Sequence, residues 1–500
     1  MPFKLSFFQV IDKKDFLFFI CVSLLYALTS FIGVMYHEPW RDEAQVWLIV
    51  RDSGIRDIFS QLSVQGNLGV WYILLLPFAK LGLPYFTELI VHWLVSVSAV
   101  SLFLFKAPLN RLIKVLFVFS YYMLFEYGVI ARDYMLTILF LFLIATYYSS
   151  RFSNPKRFAL LVFLLFNTHV LGIGVGLALL IIYFAEVKNK MQNKNRISLA
   201  IMSAGLIVAF ITLFPSSHLA VDASVRGSYM PLINREAAWT LLTAIQNAFI
   251  PTTYNFVEIK MPLFFSLGFL MCFIALLKKP RIFVLLFISL SWLFYVFITK
   301  QYYTRYSGFI LVFVLFSLWI KHYYQDSERL SGSKLIGYLK LELMEKVFET
   351  FLVLSLVINS IYGVGCIRTE VLFSSSGAEE LSCFIKNNKL EEKEIACNQC
   401  WSSALAAYLP NAKLWCLNSN RYETFFILDS VYLNSLNLSH EEVMKRIKNK
   451  YRQETLLLAS EPMKTSDNDE LELLFRNEKF NWRDNGEQYF LYRVKIKEAN

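Results

Sequence analysis

Charge is scarce in this chain. Only 18% of its 500 residues are Asp, Glu, Lys or Arg, whereas soluble domains stand near a quarter. That shortage argues against an ordinary soluble domain. No repeat of fixed period and no low-complexity tract is present, so solenoids and arrays are set aside. Cysteine is also sparse, at seven residues, and a disulfide-dense secreted scaffold does not fit. The first long apolar run has no small-residue cleavage site after it, so it reads as a retained first span and not as a removed signal.

What the chain has in excess is apolar length. Hydrophobic residues make up 56% of it and aromatic residues 17%. Many runs approach or exceed the roughly 20 residues that cross a bilayer as a helix. The expected fold class is therefore an all-α polytopic membrane domain.

The positive charge is uneven. From Cys366 onward there are 18 Lys and Arg against 20 Asp and Glu, while the first 365 residues hold 31 basic and 19 acidic side chains. A basic soluble domain would suggest nucleic acid; a basic membrane region with a nearly neutral tail suggests topology signals, and no nucleic-acid partner is expected. The basic clusters are Lys4, Lys13, Lys14; Lys106, Arg111, Lys114; Arg151, Lys156, Arg157; Lys188, Lys190, Lys194, Arg196; Lys278, Lys279, Arg281; and Lys321 to Lys346. Placing all six in the cytoplasm gives about eleven spans. They fall near 15–35, 85–105, 112–131, 132–150, 157–168, 170–187, 197–214, 262–277, 281–299, 306–322 and 346–365. The chain then divides into a membrane domain, 1–365, and a small extracytoplasmic α/β domain, 366–500. Segment 68–83 is expected to be an outer interfacial or re-entrant helix. Segments 53–64 and 236–250 are expected to lie on the outer surface. In the tail, "EIAC", "ETLLLAS" and "YFLYRVKIK" read as strands, and "CWSSALAAYL" and "HEEVMKRIKNKY" as helices.

Five cysteines fall in that tail segment: Cys366, Cys383, Cys397, Cys400 and Cys416. For Cys397 and Cys400, in "CNQC", an oxidising compartment makes a structural disulfide the default. A redox dithiol and a zinc site remain as alternatives.

With this topology the polar interruptions collect on one side. In "YHEPWRDEAQVWLIVRD", Asp42 and Glu43 follow the first span directly, beside Arg41 and between Trp40 and Trp47. Tryptophans anchor a segment at headgroup level, and a carboxylate at that height suits transfer chemistry from a lipid-linked donor. The plainer alternative is an ion pair with Arg41 at a helix start. In "EYGVIARDYML", Glu126, Arg132 and Asp133 break a nearly continuous apolar stretch. Ionisable groups there read as functional by default, and an arginine at the rim can grip phosphate; a local ion pair is the alternative. In "TKQYYTRY", Lys300 and Arg305 sit on a short outer loop. They suit either headgroup anchoring or a cationic pocket for a phosphate leaving group. In "FNTHVLGIG", Asn167, Thr168 and His169 form a polar break that satisfies exposed backbone or contacts substrate. Two acids plus His37 would make an incomplete set for a divalent ion, so no cofactor is assigned. Adjacent carboxylates on a helix point about 100° apart. Glu43 is thus better suited to orienting a loop, a metal or Arg41 than to sharing a proton with Asp42.

At these residues the sequence resembles the multi-span glycosyltransferases of the GT-C type, which include the protein O-mannosyltransferases and the lipid A aminoarabinose transferases. It is most similar to a bacterial branch carrying "HE.WRDEAQ.WL.ARD", "EG.P.LWY.LL.P.AKLGLP" and "EY.VIAR.Y.L". The matching stretches here are "HEPWRDEAQVWLIVRD", "VWYILLLPFAKLGLP" and "EYGVIARDYML". The likeness covers about residues 15 to 320. It implies a GT-C-like fold in the inner (plasma) membrane. It also implies transfer of a sugar from polyprenyl phosphate, with inversion, to an envelope glycan, lipid or protein on the outer face. By the resemblance Asp42 is the base, with Glu43 beside it in the acidic pair, and Arg132 and Tyr134 match an Arg-x-Tyr motif. Arg41, His169, Lys300 and Arg305 complete the candidate substrate contacts. One departure stands out. Where the branch often has an acidic-Gly-His-Pro run, Gln65 to Gly69 read "QGNLG". Alternative readings are a transporter or flippase of a lipid-linked glycan intermediate, and an inactive relative. A transporter would place its ionisable groups near the midplane and show inverted repeats.

Overall fold

The computed structural model describes residues 13–65, 67–213, 234–251, 264–269, 279–299, 302–324, 341–373, 376–398, 402–427, 429–435, 438–463, 471–477 and 487–496. Helices are numbered in chain order. The membrane part comprises α1 (Lys13–Tyr36), α2 (Arg41–Asp52), α3 (Ile55–Gln65), α4 (Gly69–Lys80), α5 (Phe86–Lys106), α6 (Arg111–Val118) and α7 (Tyr134–Tyr147). It continues with α8 (Pro155–Phe166), α9 (Ile173–Val187), α10 (Asn193–Leu213), α11 (Arg235–Phe249), α12 (Pro280–Thr299), α13 (Gly308–Lys321) and α14 (Leu341–Leu372). The tail adds α15 (Ala378–Asn387), α16 (Ser402–Tyr408), α17 (Ser430–Leu433), α18 (His440–Lys450) and six strands.

Among the described residues, seven helices are long and apolar enough to cross a membrane. Their placement is inside out relative to a soluble bundle. The first span exposes Phe16, Leu17, Leu24, Leu25, Leu28 and Ile32, which is costly in water and neutral in lipid. Helix α13 is buried along nearly its whole length, from Gly308 to Ile320, and forms the centre of the bundle. Gly308 is required there: a β-carbon would run into the Tyr122 ring.

The sequence predicts continuous spans over 112–131 and 132–150. Instead α6 ends at Val118, a π-helical turn occupies Tyr121–Glu126, and irregular chain runs to α7. This backbone is tolerated because it is buried in protein that satisfies its polar groups. Tyr26 Oη donates to the Met123 carbonyl at 2.8 Å, and His92 Nε2 donates to the Tyr127 carbonyl at 2.9 Å. The expected break at Asn167–His169 does separate two helices, α8 and the apolar stretch Val170–Lys190. Helices α3, α4 and α11 occupy the three segments expected to be surface or interfacial helices. The expected span 262–277 lies mostly outside the described residues.

Helix α14 has 32 residues. At 1.5 Å per residue it is about 48 Å long, well beyond a hydrocarbon core of about 30 Å. It runs through the expected domain boundary at 365. Cys366, expected after the last span, is therefore a buried residue of this helix.

The tail is a small α/β unit, as expected. Its strands are β1 (Ile395–Cys397), β2 (Leu414–Cys416), β3 (Arg421–Tyr422), β4 (Thr455–Ala459), β5 (Leu471–Arg476) and β6 (Phe490–Val494). They form one sheet in the order β3-β2-β1-β4-β6-β5. Strand β1 pairs in parallel with β2 and β4, and the other pairings are antiparallel. Every residue of β4 is buried, so its sequence, "TLLLA", is apolar without alternation. Leu457→Ala removes one of these fully buried side chains. It should destabilise the tail by about 2–5 kcal/mol, read as faster proteolysis there while the membrane helices stay protected.

Candidate active site

Helix α1 ends at Tyr36, and after a four-residue link Arg41 starts α2. That short link puts Asp42 and Glu43 in the first turn of α2, where the helix dipole favours acids. The two carboxylates then part. Asp42 is 29% exposed at its side chain, while Glu43 is fully buried.

Asp42 is ringed by three guanidinium groups. Arg132 Nη1 donates to Asp42 Oδ2 at 3.3 Å, Arg305 Nη2 lies 3.9 Å from the same oxygen, and Arg41 Nε lies 3.7 Å from Oδ1. Burial alone would raise the Asp42 pKa. The charges of Arg132, Arg305 and Arg41 outweigh it and hold the carboxyl below its ordinary value. Arg132 comes from the irregular chain before α7, and Arg305 from the turn before α13. Both are largely covered, at 12% and 13% side-chain exposure. Tyr127 Oη donates to the Arg305 carbonyl at 2.5 Å, tying the two segments together. The Arg305 guanidinium lies 5.4 Å from the Trp40 ring and 4.5 Å from the Tyr303 ring.

Glu43 turns inward. Its Oε1 accepts the Ala131 N–H at 2.7 Å, and its Oε2 meets His37 Nε2 at 2.9 Å and the Trp40 N–H at 3.3 Å. His37 Nδ1 faces Glu370 Oε1 at 2.6 Å. Of the expected roles for Glu43, orienting a loop, a metal or Arg41, the structure shows the first, through the Ala131 amide, together with a contact to His37. A divalent ion shared by Asp42, Glu43 and His37 does not fit this arrangement. Arginines face Asp42, and carboxylates face both nitrogens of His37. Among the described residues no group of three or more His, Cys, Asp or Glu could hold a metal.

Tyr134 follows Arg132 closely, and its ring lies 5.6 Å from that guanidinium. It also packs at 5.0 Å against His169 and at 6.2 Å against Tyr306. His169 caps the turn that leads into α9, accepting the Leu171 N–H at Nδ1. It therefore stands behind Tyr134 while satisfying backbone. The "QGNLG" departure falls beside it, with Asn67 bridged to His169 through backbone. Lys300 and Cys400 lie outside the described residues.

The tail closes over α2. Glu487 Oε1 accepts the Arg41 N–H at 3.0 Å, capping the helix start from a point 446 residues away. Tyr489 Oη and Ser376 Oγ donate to its other oxygen at 2.7 and 3.3 Å. Gln45 exchanges two hydrogen bonds with the backbone of Phe426, at 2.8 and 3.1 Å. Ser403 Oγ donates to the Arg41 carbonyl at 3.4 Å. No local motif marks Glu487 or Glu370, and sequence reasoning missed both.

No family model matches the sequence, and comparison with curated proteins finds no match. Solved structures do match. The crystal structure of ArnT from Cupriavidus metallidurans bound to undecaprenyl phosphate superposes with a TM-score of 0.54 at 11% identity, covering 98% of this chain and 100% of that one. This chain shares the fold of ArnT. The apo ArnT structure gives a TM-score of 0.50 at 13% identity, with coverages of 95% and 97%. The match runs through the tail as well as the membrane helices, and the GT-C-like fold expected from the motifs is the one observed.

Burial lifts the Glu487 pKa to about 7, against the Arg41 N–H, Tyr489 and Arg41 charge that lower it. A carboxyl with a raised folded pKa contributes most below its unfolded value, near 4.3, and that contribution is lost as pH rises through the folded value. Thermal stability should therefore fall as pH rises from about 4.3 to about 7. Glu487→Gln should flatten that fall in a series of thermal unfolding scans.

Proposed function

We propose that this protein is an integral-membrane glycosyltransferase. It moves a sugar from a polyprenyl-phosphate donor to an acceptor at the outer face of the membrane. Asp42 is the base, and Arg132 and Arg305 hold the donor phosphate, with Lys300, five residues before Arg305 in sequence, as a further candidate. The observation that carries this reading is the convergence of both arginines, from distant segments, on one partly exposed carboxylate. The shared fold adds to it, since the ArnT structure holds undecaprenyl phosphate.

The chemistry follows from the charges. The acceptor hydroxyl gives its proton to Asp42 as its oxygen attacks the anomeric carbon. The bond from that carbon to the phosphate oxygen breaks, and polyprenyl phosphate leaves with the electron pair. Base and leaving group stand on opposite faces of the sugar, so the configuration inverts. The leaving phosphate needs charge stabilisation, not protonation. In this structure the arginines hold Asp42 ionised but weakly basic. A donor phosphate competes for them, and each guanidinium drawn away lets the Asp42 pKa rise. Donor binding thereby strengthens the base.

Asp42→Asn should lower transfer from a polyprenyl-phosphate sugar by about 10²–10⁴-fold, the range of general-base catalysis, in a protein that still inserts and purifies normally. Full turnover in that variant rejects Asp42 as the base. Arg132→Ala should chiefly raise the donor KM. Transfer that proceeds in detergent, with no separated compartments, excludes a transporter.

A further inference from the structure

The buried partner of the catalytic pair is a chain of ionic hydrogen bonds that neither the sequence motif nor the proposed chemistry uses. Glu370, near the end of α14, meets His37 Nδ1 at 2.6 Å. His37 Nε2 meets Glu43 at 2.9 Å. Glu43 takes the Ala131 N–H at 2.7 Å. The next residue is Arg132, which reaches Asp42. His37, Glu43 and Glu370 are all buried, at 5%, 0% and 2% exposure.

Ionised carboxylates only accept hydrogen bonds. With an ionised carboxylate on each ring nitrogen, both nitrogens of His37 donate and the ring is an imidazolium, the form that its raised pKa also favours. A neutral ring would turn one contact into two acceptors facing each other inside the protein. The carboxylate left unpaired there would carry a heavy desolvation penalty.

We propose that His37, as an imidazolium, is a positioning residue that sets the phosphate-binding arginine. It holds Glu43, and Glu43 holds the Ala131 amide, so that Arg132 projects toward Asp42. Loss of the His37 proton frees Glu43 and lets the 127–133 segment shift. This rests on the donor-phosphate reading above. Burial opposes the charge on His37, but Glu43 and Glu370 outweigh it and raise its pKa to about 9. The third ionisable group near His37 is His92 of α5, whose Nε2 is engaged with the Tyr127 carbonyl. A histidine with a raised folded pKa contributes fully below its unfolded value, about 6.5, and that contribution is lost as pH rises through the folded one.

The test is undecaprenyl phosphate binding by the full-length protein in detergent, followed by tryptophan fluorescence as pH rises. The phosphate itself finishes ionising near pH 7, its second pKa being about 6, so it is silent in the alkaline range. Wild type should hold its affinity to about pH 8 and lose about tenfold by about pH 10, a typical coupling between sites. His37→Gln should bind about tenfold more weakly at neutral pH and show no further alkaline loss. Glu370→Gln removes one carboxylate from the imidazolium and should keep the alkaline loss with its midpoint moved to lower pH. That shift is a readout that a purely packing role would not produce. It also decides the matter if His37→Gln does not fold. A wild-type profile flat through the alkaline range, or the same midpoint in wild type and Glu370→Gln, overturns the inference. Failure of the wild type to bind undecaprenyl phosphate at neutral pH overturns the donor reading instead.

Discussion

A carboxylate held at the edge of a membrane has to be answered by positive charge, and Asp42 is answered three times over. The arrangement of the chain around it follows from that requirement. Arg41 adjoins it in sequence, but Arg132 and Arg305 lie 90 and 263 residues farther along. Bringing them together takes a broken helix before α7, a tight turn before α13, and a tyrosine that fastens one to the other. The broken helix is irregular backbone buried in protein, a setting in which a membrane fold tolerates it, while the turn before α13 is half-buried. The regular helices serve as the frame for these exceptions.

The mutual dependence of Asp42 and its arginines has a chemical meaning. A base with a low pKa abstracts protons poorly, and a cation already paired binds phosphate less well. Paired with each other, the carboxylate and the arginines are restrained on both counts. On the proposed donor reading, an incoming phosphate anion would relieve both at once, because it would take over the cations and release the carboxylate. The same electrostatics that stabilise the fold without substrate would link occupancy to reactivity, and the acceptor hydroxyl would meet an active base only when a donor is in place.

Much of this was legible in the amino-acid order, for identifiable reasons. Long apolar runs announce spans through their length alone, and basic clusters orient them. Arg132 stood out because a charge in an apolar stretch is conspicuous, and Asp42 and Arg305 because they sit on charged loops directly beside apolar runs. The helix break at Asn167–His169 was readable as a polar interruption of an apolar run. The irregular backbone at 119–133 was not, because Glu126, Arg132 and Asp133 mark a junction without saying how long it is, and the partners of its backbone lie elsewhere in the chain. For Glu43 the sequence left a loop, a metal and Arg41 open, since adjacency carries no information about which way a side chain turns, and His37 was not expected as its partner. Glu370 and Glu487 were invisible because their significance lies in pairings across 333 and 446 residues. In the tail, β1, β4 and β6 were expected, whereas β2, as short as β1, the two-residue β3 and the partly exposed β5 were not.

The cap that Glu487 places on the first amide of α2 joins segments 446 residues apart. A ribosome synthesises all of the intervening chain before that amide meets its partner. Until then the opening turn of α2 would present a bare donor and an unshielded guanidinium to lipid headgroups. That turn is therefore closed by a contact made long after its own synthesis, and a nascent chain halted short of Glu487 would be inserted in the membrane with the turn still uncapped.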